Sequence, residues 1–218
     1  MITKEKLEIA LGLDIRYLSN INNNAELPYE TSEGWKTISI YDKRIIDNFK
    51  FYTGIGSRET PPNILEVMRL VGVILDKKGF ILRSGGAVGA DSSFESAAIN
   101  KEIYLPERNF NDNKSKLYNI NTKAFIIAES IIAHWDNLKP YAKKLHSRNV
   151  HQIMGLELSK NSKLSSMVIC YTKNGLLKGG TATAIKLANK LDIKVYNLGD
   201  RKDLTYIINY IKINKHLI

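Results

Sequence analysis

The sequence predicts an α/β protein, a parallel sheet with helices on both faces, preceded by a mostly loop and helical N-terminal extension. Three observations predict it. From residue 49 onward, short β-prone runs alternate with segments of helical period. Residues 166–171 (SMVICY) form a continuous apolar run, the pattern of a strand buried on both faces of a parallel sheet. Glycine-bearing turns follow the runs, where βα units reverse direction.

The elements follow in order. Residues 1–48 form the extension; the stretch LSNINNNAELPYETSEGW is polar and poorly periodic and reads as loop, with short helices expected at 3–11 and 41–48. Residues 49–218 form the α/β domain. A strand over 49–53 leads into Gly54-Ile55-Gly56. Thr60-Pro61-Pro62 starts a helix, with Thr60 as cap and proline tolerated in the first turn. Ile64, Val67, Met68, Val71, Ile74 and Leu75 give that helix its inner face, and Gly79 ends it. A strand at 80–82 closes on Ser84-Gly85-Gly86. A helix over 90–100 turns Phe94, Ala97 and Ala98 inward, and 102–105 is a third strand. A polar loop over 106–120 precedes helices at 121–134 and 140–158. After SMVICY, Lys178-Gly179-Gly180-Thr181 opens a helix, 194–198 is the last strand and 201–213 the last helix.

Composition narrows the function classes. Hydrophobic residues make up 44% and charged residues 25% of the 218, which is globular rather than disordered. No apolar run reaches the roughly 18 residues of a membrane span, and charges interrupt the N-terminal 18 residues, unlike a secretory leader. A single cysteine, Cys170, excludes an intrachain disulfide and a thiolate zinc cluster and makes a cytoplasmic setting the expectation. The net charge is +10, and residues 110–218 carry 18 basic against 7 acidic side chains. That half could face phosphates or nucleic acid. Equally, 24 Lys, 28 Ile and 20 Asn fit the drift of an AT-rich coding sequence.

Three glycine segments fall at strand ends or helix starts: Gly54 to Arg58 (with Gly56 and Ser57), Ser84 to Asp91 (with Gly85, Gly86 and Gly89), and Gly179 to Thr183 (with Gly180 and Thr181). Glycine lets a ligand approach the backbone, and a helix start offers free N–H groups, so together they favour a phosphate-bearing ligand at the C-terminal edge of the sheet. No Gly-Lys-Ser/Thr closes a Walker loop, and no third glycine completes a dinucleotide fingerprint.

The strings Gly56-Ser57-Arg58-Glu59-Thr60-Pro61, Ser84-Gly85-Gly86-Ala87 through Gly89-Ala90-Asp91, and Gly179-Gly180-Thr181-Ala182-Thr183-Ala184 resemble the Rossmann-like superfamily that joins DNA-processing protein A with the Lonely Guy phosphoribohydrolases. With Leu145-His146-Ser147-Arg148-Asn149-Val150 added, the chain looks most like short stand-alone phage versions. The resemblance covers residues 49–200. It implies a nucleotide-type ligand at the strand edge and a homodimer or larger homo-oligomer. The chain departs from the phosphoribohydrolase string at Lys178, Ala182 and Lys186, the last standing where that string has its glutamate, and no C-terminal winged-helix module is expected from residues 201–218, which read as one amphipathic helix.

Among individual residues, Arg58 is placed to reach a phosphate, against pairing with Glu59 or Glu66. Ser84, Thr181 and Thr183 carry hydroxyls that donate to phosphate or cap helices. Asp91 is a candidate ribose ligand or base. Glu95, one turn on, shares its helix face, so the two acids are the catalytic pair if the chain cleaves an N-glycosidic bond. Lys144, Arg148 and His151 recur at i, i+4 and i+7 and form a candidate nucleic-acid face. His146 and His151 are misspaced for a helical metal pair, so no metal and no cofactor are expected. Trp135, Tyr141 and Tyr171 could stack on a base or belong to the core, and Cys170 reads as an inert buried thiol. The leading reading is a binder of a small nucleotide or nucleotide-derived ligand, sensing or sequestering a signal. The alternative is a single-strand DNA-binding recombination mediator, and the third reading is a nucleotide N-glycosidase.

Overall fold

The computed structural model describes residues 26–31, 34–39, 50–159 and 162–218. A hairpin of β1 (Glu26–Thr31) and β2 (Gly34–Ser39) runs antiparallel with Thr31 opposite Gly34. This corrects the loop expected there. Leu27, Tyr29 and Thr31 alternate with Glu26, Pro28 and Glu30, a period of two that the asparagines just upstream obscured. The helices expected at 3–11 and 41–48 lie outside the described residues.

The main sheet holds β3 (Lys50–Gly56), β4 (Phe80–Ser84), β5 (Lys101–Ile103), β6 (Met167–Tyr171) and β7 (Lys194–Asn197), in the order β5-β4-β3-β6-β7 with every pairing parallel. The helices are α1 (Pro62–Lys77), α2 (Ala90–Ala97), α3 (Thr122–Glu129), α4 (Pro140–Met154), α5 (Thr181–Lys190) and α6 (Arg201–Ile213). Strand order reverses between β3 and β6, which places a switch point at the centre of the sheet.

Alternation along the strands feeds two cores. Tyr52, Leu82 and Ile169 meet Met68, Val71, Leu75 and Phe94 on the face covered by α1, α2 and α6. Ile55, Val168 and Cys170 meet Val150, Ile153, Ile185 and Ala188 on the face covered by α3, α4 and α5. The SMVICY segment is thus buried on both sides, and burial pushes the Cys170 thiol well above its ordinary range, leaving it protonated and inert.

Several helix boundaries moved. The helix expected over 121–134 ends at Glu129, where Ser130 and Ile131 close the last turn, and the one expected to 158 ends at Met154 before Gly155. Thr60 does not cap α1. Pro61 holds that position, and the Thr60 hydroxyl turns back to donate to the Ser57 carbonyl at 2.7 Å.

A cationic cleft at the switch point

Beyond the C-terminal ends of β3 and β6 lies a cavity of about 770 Å³. Its walls are the Gly56–Glu59 turn, the start of α2, one side of α4, and the segment 172–181 that leads into α5. The sequence puts the cleft here because chain leaving β3 crosses to one side of the sheet and chain leaving β6 to the other.

The floor is an ion pair. Asp91, in the first turn of α2, accepts from the Gly56 N–H at 3.2 Å and lies 3.5 Å from the Arg148 guanidinium; both side chains are more than nine-tenths buried. Burial pushes the Asp91 carboxyl up, and Arg148 together with the Gly56 and Ala87 amides pulls it back down. Gln152 completes the floor. With its amide oriented to satisfy its neighbours, its oxygen accepts from Gly85 N at 3.0 Å and Arg148 Nη1 at 2.9 Å, and its nitrogen donates to Asn149 Oδ1 at 3.0 Å. Among the described residues the Nε of Arg148 has no hydrogen-bond partner.

The rim carries cations without partners. Among the described residues Arg58, Lys173 and Lys178 make no ion pair and are exposed; Glu66, a possible mate for Arg58, is held instead by Arg69 at 2.7 Å. Opposite Arg58, α5 begins at Gly179-Gly180-Thr181 with no side-chain cap, and these three residues line the cleft. Two side chains of α4 fix this helix start. Asn149 donates to the Gly180 carbonyl at 2.8 Å, and His146 Nδ1 meets the Thr183 hydroxyl at 2.8 Å. Burial and nearby Arg148 hold the His146 imidazole below its ordinary pKa, hence neutral at pH 7.

The structure gathers Gly56, Ser57, Arg58, Asp91, Arg148, Gly179, Gly180 and Thr181 around this one cleft. Other expected residues serve the scaffold. Gly54 and Gly56 give room to α2, because a Cβ would stand 2.6 Å from Phe94 and Ala90 respectively. Gly85 lies under the Arg148 guanidinium, and Gly86 under Leu105. A Cβ on Gly89 would meet the Arg58 and Ser57 carbonyl oxygens at 2.8 and 2.9 Å, so its place is to let the β3 turn pack. The Ser84 hydroxyl is buried and donates to the Gly54 carbonyl at 2.6 Å, and that of Thr183 is taken by His146.

Two expectations are corrected. Glu95 does not join Asp91: Asn113 Nδ2 holds it at 2.8 and 3.0 Å on the side facing the 106–120 loop, outside the cleft, so these two acids form no pair there. Lys144, Arg148 and His151 form no exposed face either. The second half of α4 is the middle helix of its layer, enclosed by the sheet, α3 and α5. Only Lys144 reaches solvent. Arg148 points into the cleft floor, and His151 is buried, stacked on Tyr104 at 5.4 Å between ring centroids. Trp135 is core, leaving Tyr141 as an exposed aromatic.

Sequence reasoning missed Asn149, Gln152, Lys173 and Leu176. The first two share a helix face with Arg148, at i+3, i+4 and i+7 from Leu145, a signal that was present; the others sit in a loop whose approach to the cleft depends on the β3–β6 pairing. Among the described residues no group of three or more His, Cys, Asp or Glu side chains is gathered to hold a metal, and no helix is long and apolar enough to cross a membrane.

The fold and cleft together define a Rossmann-like parallel α/β protein with its candidate site at the sheet's switch point. No family model and no curated protein matches the chain. Among solved structures it is similar to DNA processing protein A from Helicobacter pylori, a structure described for a unique single-stranded DNA binding mode. The identity is 18% and the TM-score 0.50, over 88% of this chain and 96% of that one. At that identity the likeness is one of fold.

Proposed function

We propose that this chain binds single-stranded nucleic acid, holding a phosphate in the cleft between the Ser57-Arg58 turn and the start of α5. One observation carries the reading: partnerless Arg58, Lys173 and Lys178 converge with an uncapped helix start on one cleft. Such a cleft suits an anion whose charge Arg58 meets from one side and the Gly180 and Thr181 amides from the other. The single-stranded DNA binding described for the protein of like fold supports the polymer as ligand.

A second reading, a free mononucleotide as ligand, rests on the cavity volume of about 770 Å³, which is the size of a small-molecule site. Fluorescence anisotropy with a labelled oligothymidylate across a salt series tests both. Affinity should fall with salt at about 0.7 log units per log unit for each phosphate neutralised. Arg58→Ala and Lys178→Ala should each shallow that slope. No binding at low salt, or slopes that ignore both variants, refutes the polymer reading. Competition by thymidine monophosphate at micromolar levels favours the second.

A further inference from the structure

The segment that closes the cleft on one side has a composition the phosphate site does not use. Residues 173–180 read Lys-Asn-Gly-Leu-Leu-Lys-Gly-Gly. Leu176 is 51% and Leu177 47% exposed, beside a cleft whose rim also carries Arg58, Lys173 and Lys178. Exposing two neighbouring leucines is unfavourable unless something covers them.

The backbone on either side is firmly held. Thr172 is pinned by Asn197, which accepts from its N–H at 3.0 Å and donates to its hydroxyl at 2.7 Å; Gly175 N donates to the Thr172 carbonyl at 3.0 Å. At the far end Asn149 holds the Gly180 carbonyl. Between these anchors lie two glycines in the left-handed region, Gly175 at φ 71° and Gly179 at φ 76°, the latter with no atom within 4 Å of where a Cβ would stand. Glycine crosses φ sign at little cost, so both positions can serve as hinges. Leu176-Leu177-Lys178 is therefore a short strap between two hinges, tied only by local turns (Leu176 N donates to the Lys173 carbonyl at 3.1 Å and Lys178 N to the Leu176 carbonyl at 2.9 Å), with both leucine side chains half-exposed.

We propose that this strap closes over an unpaired base of the bound strand, laying Leu176 and Leu177 on the base while Lys178 meets the adjoining phosphate. This rests on the single-strand reading above. The charge pattern selects the occupant. Cations flank an apolar centre, so the matching ligand is anionic at its ends and apolar between them, which describes one nucleotide of a strand whose base is free of a partner. A duplex presents phosphates but no free base face. Inorganic polyphosphate and an abasic strand carry the charge without the base.

The test uses the full chain with three probes of equal length: oligothymidylate, an abasic oligomer and a DNA duplex. Hydrogen exchange of the Leu176 and Leu177 amides should slow with oligothymidylate and stay unchanged with the abasic oligomer. Leu176→Ser with Leu177→Ser should weaken oligothymidylate binding about tenfold, as expected when two half-exposed leucines lose their cover, and leave abasic affinity alone. The leucines are exposed and the variant folds, which circular dichroism verifies. Gly175→Ala should raise the dissociation rate of oligothymidylate and leave that of the abasic oligomer unchanged. Equal binding of oligothymidylate and the abasic strand, or a leucine variant that loses both alike, overturns the strap. Failure of the single-strand reading is separate: there, no probe binds at low salt.

Discussion

Replacing Arg148 by methionine removes one half of the buried pair under the cleft and leaves Asp91 with only backbone partners. At 3.5 Å the two charges attract by about 5 kcal/mol at an effective dielectric near 20. Taking each ion out of water costs several kcal/mol, so the intact pair comes close to breaking even. A lone survivor keeps its desolvation cost without the attraction. Arg148→Met and Asp91→Asn should therefore each lower stability by about 3–5 kcal/mol. The double variant should cost less than the sum of the two, with a coupling of at least about 2 kcal/mol, because the asparagine still accepts from Gly56 N–H and no charge is stranded. Urea unfolding at pH 7, followed by circular dichroism, reads the difference as a shift in midpoint at constant slope. Singles that each cost under about 1 kcal/mol, or a double equal to their sum, would refute the pair as a unit.

Three further outcomes follow from the geometry. Gly86→Val should cost about 1–3 kcal/mol by overpacking against Leu105, whereas Gly180→Val, whose Cβ has only Asn149 at 4.0 Å, should fold normally and lose oligonucleotide affinity; thermal melts beside anisotropy separate the two. His151 uses both ring nitrogens, Nδ1 toward the Gly155 carbonyl and Nε2 accepting from Asn121 N–H, and burial holds its pKa low. Its folded value lies below the unfolded one, so its contribution to stability is complete above about pH 6.5 and drains away as pH falls below it; His151→Gln should flatten that limb of the unfolding profile, and an unchanged limb assigns it elsewhere. Glu95→Gln should leave oligonucleotide binding intact, and a clear loss would return Glu95 to the site.

Much of the domain was legible in the sequence because its signals are local. SMVICY, the spacing of Ile64 through Leu75, and Arg201–Ile213 were read in place. The glycines were read as ligand contacts, yet at Gly54, Gly56 and Gly89 they answer to packing that only the fold reveals. A glycine needed for a neighbour and one needed for a phosphate are identical in one dimension. The same limit misplaced Arg148 and His151. Their spacing put them on one stripe, but whether a stripe meets water depends on the helices at either side, which spacing does not record. Asp91 was identified without its partner, 57 positions away, because a buried charge announces that it needs a mate and not where the mate is.

The central pairing of β3 with β6 joins distant chain: Ser166 donates by its hydroxyl to the Phe51 carbonyl, 115 positions away. The two halves of the cleft thus leave the ribosome at different times. A nascent chain extruded only through β5 carries the Arg58 turn with no opposing wall, and it has no helix start to complete the grip. Loop closure over so long a stretch is also slow beside the hairpins and helices that form on the way. A chain that stops before β6 and α5 therefore carries the Arg58 turn alone, with one wall of the proposed site missing.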